Sequence, residues 1–236
     1  MKPTDTLLFL FIFFIITCGA PTQSFAQNSG SDGSVNLGSR LELFVDSFLI
    51  ESMQNCRLVM HKPVDEGPVI FFNKSWEGVF SGYTTIIKDT SLYRMYYRGI
   101  PSAGSDGSNA EVTCYAESAD GINWTKPGLG LFEIKGSRNN NIILADAAPV
   151  THNFSPFLDS NPSRTDKYRF KAFGGLSEGL IPYGSVGGIH WERIHDQPVV
   201  KGGQFDSQNV CFWSSHENLY VCYFRVWINY GGKQIR

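Results

Sequence analysis

The sequence has 236 residues, with 20 Lys and Arg against 22 Asp and Glu and a formal charge of −2. That balance supplies no basic field for nucleic acid, and 14% aromatic with 18% charged residues excludes a disordered chain. With 24 Gly and 11 Pro, the composition suits a turn-rich β protein.

The chain opens on Lys2 and an apolar run, Leu7 to Ile16, followed by Ser24-Phe25-Ala26. A positive start, a short apolar core and a small-x-small pattern form a secretory signal. The run is too short for a bilayer, which takes about 20 residues. Cys18 would suit a lipid anchor, but Thr17 is a poor residue just before a lipidated cysteine, so cleavage is expected before Gln27. Residues 1–26 are thus read as a signal peptide and 27–40, polar and rich in Gly and Ser, as a flexible leader. Residues 41–236 form the folded domain. No later apolar stretch reaches membrane length, so the expected product is secreted or periplasmic, with no membrane association after cleavage.

From Leu41 onward the pattern is of short strands broken by turns. Leu41 to Val45 and Pro68 to Phe72 read as strands. Gly82 to Lys88 and Leu92 to Ile100 read as a hairpin about Asp89-Thr90-Ser91. An internal repeat follows. Tyr93-Arg94-Met95-Tyr96-Tyr97-Arg98-Gly99 resembles Tyr168 to Gly174, and both resemble Tyr220 to Arg225. After the first copy comes Ser118-Ala119-Asp120-Gly121-Ile122-Asn123-Trp124, and after the second Ser185-Val186-Gly187-Gly188-Ile189-His190-Trp191. Four-stranded units repeated with the same turn are propeller blades. A Greek-key sandwich, the alternative, would not need one turn sequence at one place in successive units.

Export leaves Cys56, Cys114, Cys211 and Cys222, whose spacing matches no zinc pattern. They read as buried thiols. The alternative concerns one pair: a hairpin turning at Glu217-Asn218 makes Cys211 and Cys222 near-neighbours across its strands, where oxidation would join them.

The residues that carry a family resemblance are Leu43 to Ile50, Arg57 to His61, Trp76-Glu77-Gly78, Tyr93 to Gly99, Cys114 to Gly121, His152-Asn153-Phe154, Phe205 to Asn209 and Cys222 to Arg225. Together they resemble the five-bladed β-propeller glycoside hydrolases of the invertase, levansucrase and arabinanase group, and within it a secreted bacterial branch. The resemblance implies an all-β propeller, a carbohydrate substrate and a pair of carboxyl groups in the central funnel. Ser47 stands where the branch has a second acid, and Gly187 where the repeat expects Asp. About three blades fit this length, so the chain reads as part of a larger ring.

Glycosidases need two carboxyl groups across the scissile bond. Acids just before innermost strands are the candidates, and Asp206 and Glu77 are the expected pair. Asp206, in a polar run with Gln208 and Asn209, is expected to be base or nucleophile. Glu77, beside Trp76, is expected to be the general acid with a raised pKa. Arg98, Glu117, His152, Asn153, Gln208, Asn209 and Trp76 are the expected substrate contacts. Asp159, before Ser160-Asn161-Pro162, reads as turn chemistry. No metal or cofactor is expected, the histidines having no ligand spacing. Two other readings stay open: a carbohydrate-binding propeller without a working acid pair, and an inactive truncated relic.

Overall fold

The computed structural model describes residues 34–39, 41–101, 104, 106–230 and 233–235; the expected signal peptide lies outside them. Packing divides the chain between Val64 and Asp65. In the first unit the expected strand Leu41 to Val45 is irregular. Its apolar side chains do not alternate between a buried and a wet face. Leu41, Leu43, Phe44 and Val45 are all exposed.

The second unit is built of antiparallel β-structure, and no α-helix occurs among the described residues. One sheet is a meander of β1 (Gly82–Asp89), β2 (Leu92–Gly99), β3 (Val112–Ser118) and β4 (Ile142–Leu144). A second meander runs β5 (Ser155–Leu158), β6 (Phe170–Gly174), β7 (Ile181–Ser185) and β8 (Glu192–Arg193). Then come two hairpins, β9 (Val210–Ser214) with β10 (Leu219–Tyr223), and β11 (Ile228–Tyr230) with β12 (Lys233–Ile235). β1 lies beside β5, and β5 beside β9, so the first strands of successive units are neighbours.

Alternation along β2 explains both faces of the first sheet. Met95 and Tyr97 point to one side, where they join Val112, Cys114, Ala116 and Ile142 under Trp76 and Trp124. Tyr96 points to the other and packs with Tyr115, Ile143 and Phe170, the last from the second sheet. The segment Pro68 to Phe72, expected as a strand, joins no ladder. It lies across the first face instead, with Ile70 and Phe72 packed on the core and the Lys126 ammonium donating to the Phe71 carbonyl at 2.5 Å. On β6 the same alternation sends Phe170 and Ala172 towards the first sheet. Phe173 and Lys171 face the β9–β10 hairpin, where Phe157 meets Tyr220 edge-on and Lys171 lies over the Tyr220 ring.

The repeated turn is repeated in its hydrogen bonds. Gly121 donates to Ser118 Oγ at 2.9 Å, and Gly188 to Ser185 Oγ at 2.8 Å. Trp124 Nε1 donates to the Gly121 carbonyl at 2.9 Å, and Trp191 Nε1 to the Gly188 carbonyl at 3.2 Å. Both glycines have positive φ, 80° and 78°, which a residue without Cβ adopts at little cost.

Candidate functional site

Five stretches converge at one end of the strands: the start of β1, the end of β2, and the residues just before β3, β5 and β9. The ladder between β1 and β2 slips between Gly82 and Thr85, and Gly82 lies opposite Arg98. At this irregularity Tyr83 has φ of 51°. A bulky residue seldom holds that conformation, and strain of this kind, like bulges generally, collects at functional sites. The displaced ring is used three ways. The Arg98 guanidinium lies 4.5 Å from its centroid, the His152 ring meets it edge-on at 5.5 Å, and its hydroxyl donates to the Asp206 carbonyl at 2.9 Å.

Behind the ring is a buried charged group. His152 ends a single 3₁₀ turn, Val150–His152, that leads into β5. Its Nε2 donates to the Asp206 carbonyl at 3.2 Å. Its Nδ1 lies 2.9 Å from Glu111 Oε1 and 3.2 Å from Arg98 Nη1, so it faces an anion and a cation at once. Glu111 is fully buried and also accepts from the Gly107 amide at 2.9 Å, while Arg98 reaches it at 3.6 Å and the Phe80 carbonyl at 3.0 Å. A buried carboxylate is tolerable when it is paired and hydrogen-bonded, and both conditions hold. Arg98 also lines a recess of about 120 Å³ with Phe80, Ile100, Gly104 and Asp106. The Asp206 side chain is 56% exposed, and Arg225 holds its carboxylate in an ion pair.

Of the expected site residues, Arg98, His152, Asp206 and Gln208 come together here. Gln208 Nε2 donates to Thr85 Oγ1 at 2.8 Å and to the Thr84 carbonyl at 3.2 Å, fastening the segment before β9 to β1. Asn153 and Asn209 lie in the same segment, but their amides bind backbone. Asn153 accepts from the Gly175 amide and donates to the carbonyls of Gly175, Phe205 and Ser207, and Asn209 donates to those of Phe205 and Ser207.

Glu77 does not join Asp206, and its expected place in a carboxyl pair is corrected by its partners. It is fully buried, with Lys126 at 2.6 Å, the Tyr97 hydroxyl at 2.6 Å and the Lys74 amide at 2.7 Å. Tyr97 and Arg98 are successive strand residues and face opposite ways, so Glu77 serves the far side of the sheet from Arg98. Trp76 packs there too, donating through Nε1 to Asn141 Oδ1 at 2.8 Å. Glu117 lies opposite Arg94, four residues along β2 from Arg98, and accepts from the Tyr115 hydroxyl at 2.9 Å. That puts it about 13 Å up the strand.

The sequence reading missed Tyr83, Glu111 and Asp106. Glu111 had a signal, an acid directly before the apolar β3. Asp106, Glu111 and His152 bring one donor atom each within 4.8 Å of one another, with Arg98 already supplying a cation beside Glu111.

At the opposite end of the strands, two further acids close their strands. Asp89, the last residue of β1, takes a bidentate grip from Arg169 and a bond from Arg94 at 3.2 Å. Arg169 holds the Asp89 carboxyl below its ordinary pKa against the opposing effect of burial. Asp159, just past β5, binds Lys171 at 2.8 Å and the Tyr220 hydroxyl at 2.9 Å. Each acid thus ties its own sheet to the next unit.

No family model matches the chain, and no curated protein matches it. Parts of solved structures resemble it. Over 63% of the chain and 49% of its own length, a glycoside hydrolase is similar at 12% identity and a TM-score of 0.40. A glycosyl hydrolase from Bacteroides ovatus is similar over 63% and 44% at 16% identity and a TM-score of 0.38. The chain spans about half the length of these structures, or less.

Proposed function

We propose that the chain is a secreted β-propeller glycoside hydrolase, or a fragment of one, with its substrate bound where Tyr83, Arg98, His152 and Asp206 meet. The observation that carries the reading is the convergence of a strained tyrosine, a buried Glu111–His152–Arg98 group and an exposed carboxylate. Tyr83, His152 and Asp206 come from the leading ends of three successive repeat units. The neighbouring first strands and the repeated turn support propeller blades, and the motif resemblance supports a carbohydrate substrate. In this reading Asp206 acts as base or nucleophile. Asp106, exposed at the same end, supplies the second carboxyl group. Arg98 and Tyr83 orient sugar hydroxyls, and buried Glu111 keeps His152 in place.

The test is hydrolysis of a glycan panel by the exported protein, whose N-terminus is expected at Gln27. Asp206→Asn is expected to lower turnover at least ~10³-fold with an unchanged melt. Full activity of that variant would reject the assignment. A second reading, sugar binding without cleavage, is favoured by the placement of Glu77 away from Asp206. Saturable binding with no product on any glycan would select it.

A further inference from the structure

β9 and β10 place Cys211 directly opposite Cys222, and their sulfurs lie 2.7 Å apart. The two differ in access: Cys211 is 6% exposed, whereas Cys222 is half-buried. One sulfur is therefore open to a reagent in solution, and the other waits behind it. Among the described residues, the two other cysteines lack this geometry. Cys114 is sealed in the core of the first sheet, and Cys56 lies in the N-terminal unit. The hairpin also bears on Asp206. The chain enters it through residues 205–209 and leaves it at Arg225, the ion-pair partner of Asp206, whose carbonyl accepts from the Gln204 amide at 2.7 Å.

We propose that Cys211 and Cys222 are a reversible thiol–disulfide pair, closed by exchange with a low-molecular-weight disulfide, that clasps the hairpin between Asp206 and Arg225. In the first step the Cys222 thiolate attacks one sulfur of the reagent disulfide, forming a mixed disulfide and releasing one thiolate. In the second, Cys211 gives up its proton to solvent and attacks the Cys222 sulfur, expelling the second thiolate. Two protein thiols are oxidised and one reagent disulfide is reduced to two thiols. The order of attack follows from access, and from the hydrogen bond by which Cys211 lowers the Cys222 pKa. The same bond, and then burial, raise that of Cys211. The thiolate is the attacking species in such exchange.

The experiment equilibrates the intact chain with reduced and oxidised glutathione at graded ratios, alkylates it under denaturing conditions and maps the peptides. A Cys211–Cys222 linked peptide is expected to accumulate as the buffer becomes more oxidising, while Cys114 stays alkylatable. In Cys211→Ser, Cys222 is expected to stop at the glutathione adduct. In Cys222→Ser, Cys211 is expected to react at least ~10-fold more slowly than Cys222 does in the first variant. Proteolysis within the hairpin of the native protein is expected to slow severalfold on oxidation. Two alkylated thiols at the most oxidising ratio, or a link from either residue to Cys56, would overturn the proposal. So would equal reactivity of the two single variants.

Discussion

Glu77 shows what a buried carboxylate does when both oxygens are already occupied. With Lys126 and Tyr97 on one oxygen and the Lys74 amide on the other, it holds the loop before β1 under the first sheet. Glu77→Gln would leave the Lys126 ammonium, whose side chain is only 12% exposed, without its counter-charge. Removing one partner of such a pair is expected to cost about 3 kcal/mol, read as a lowered denaturation midpoint, with activity per folded molecule retained. Loss of activity in a fully folded variant would return Glu77 to the chemistry. The sequence suggested otherwise because an acid before a first strand looks alike in every unit. What separates Glu77 is Gly78, whose positive φ of 77° and lack of Cβ let it press against Ile100. A Cβ there would stand 2.0 Å from the Ile100 carbonyl oxygen. This close approach sets the residue next to Glu77 against the end of β2, and nothing in a linear reading weighs it. His152 and Asp206 were legible because they open successive repeat units, and Arg98 because it shares its repeat position with Arg225. Tyr83 was not, since a slipped ladder exists only once two strands are paired.

At the level of elements, the repeated turn was readable from its motif, and its hydrogen bonds justify the reading. The two copies differ at three places, Ala119/Val186, Asp120/Gly187 and Asn123/His190, and the second of these bears on the cap. Asp120 caps the first turn, accepting from the amides of Ile122 and Asn123 at 2.8 and 2.7 Å, and these bonds hold its pKa below the usual carboxylate range. The second turn has Gly187, around which a Cβ would meet nothing within 4 Å. Gly187→Asp is expected to stabilise by about 0.5 kcal/mol through reduced freedom of the unfolded chain, with a further gain if the side chain caps as Asp120 does. The adjacent Gly188→Ala is expected to do the reverse. Its φ is 78° and a Cβ would stand 2.4 Å from the Tyr96 hydroxyl, so a loss of at least about 1 kcal/mol is expected. Paired thermal melts check both signs. The expected strands Leu41–Val45 and Pro68–Phe72 failed for a shared reason. Apolar composition marks a segment for burial, but a strand also needs a free edge to pair with, and the second of these covers a sheet face instead.

For the whole molecule, the units are joined at both ends of their first strands. At the far end the join between the first two sheets is the Asp89–Arg169 pair. Because the folded pKa of Asp89 is lowered, its contribution is complete above the ordinary carboxyl range near pH 4 and is lost as pH falls through the lower folded value. Acid is therefore expected to loosen the contact between the sheets. In Asp89→Asn the stability curve is expected to be lower at neutral pH and flatter on its acid limb. An unchanged acid limb in equilibrium unfolding would show that other carboxyls set it.

The segment of residues 205–208 lends its backbone to both Tyr83 and His152 and its Gln208 amide to β1. That fixes an order of events on the ribosome. The sheets can be made and packed as they emerge, at about 5–20 residues per second. Tyr83, His152 and β1 gain these last partners only when residue 208 has left the exit tunnel. A nascent chain arrested before that point would hold two finished sheets without the bonds that Asp206 and Gln208 supply. Under the proposed function, the earliest length at which a sugar ligand slows proteolysis of stalled chains should therefore fall after Gln208, not after the completion of either sheet.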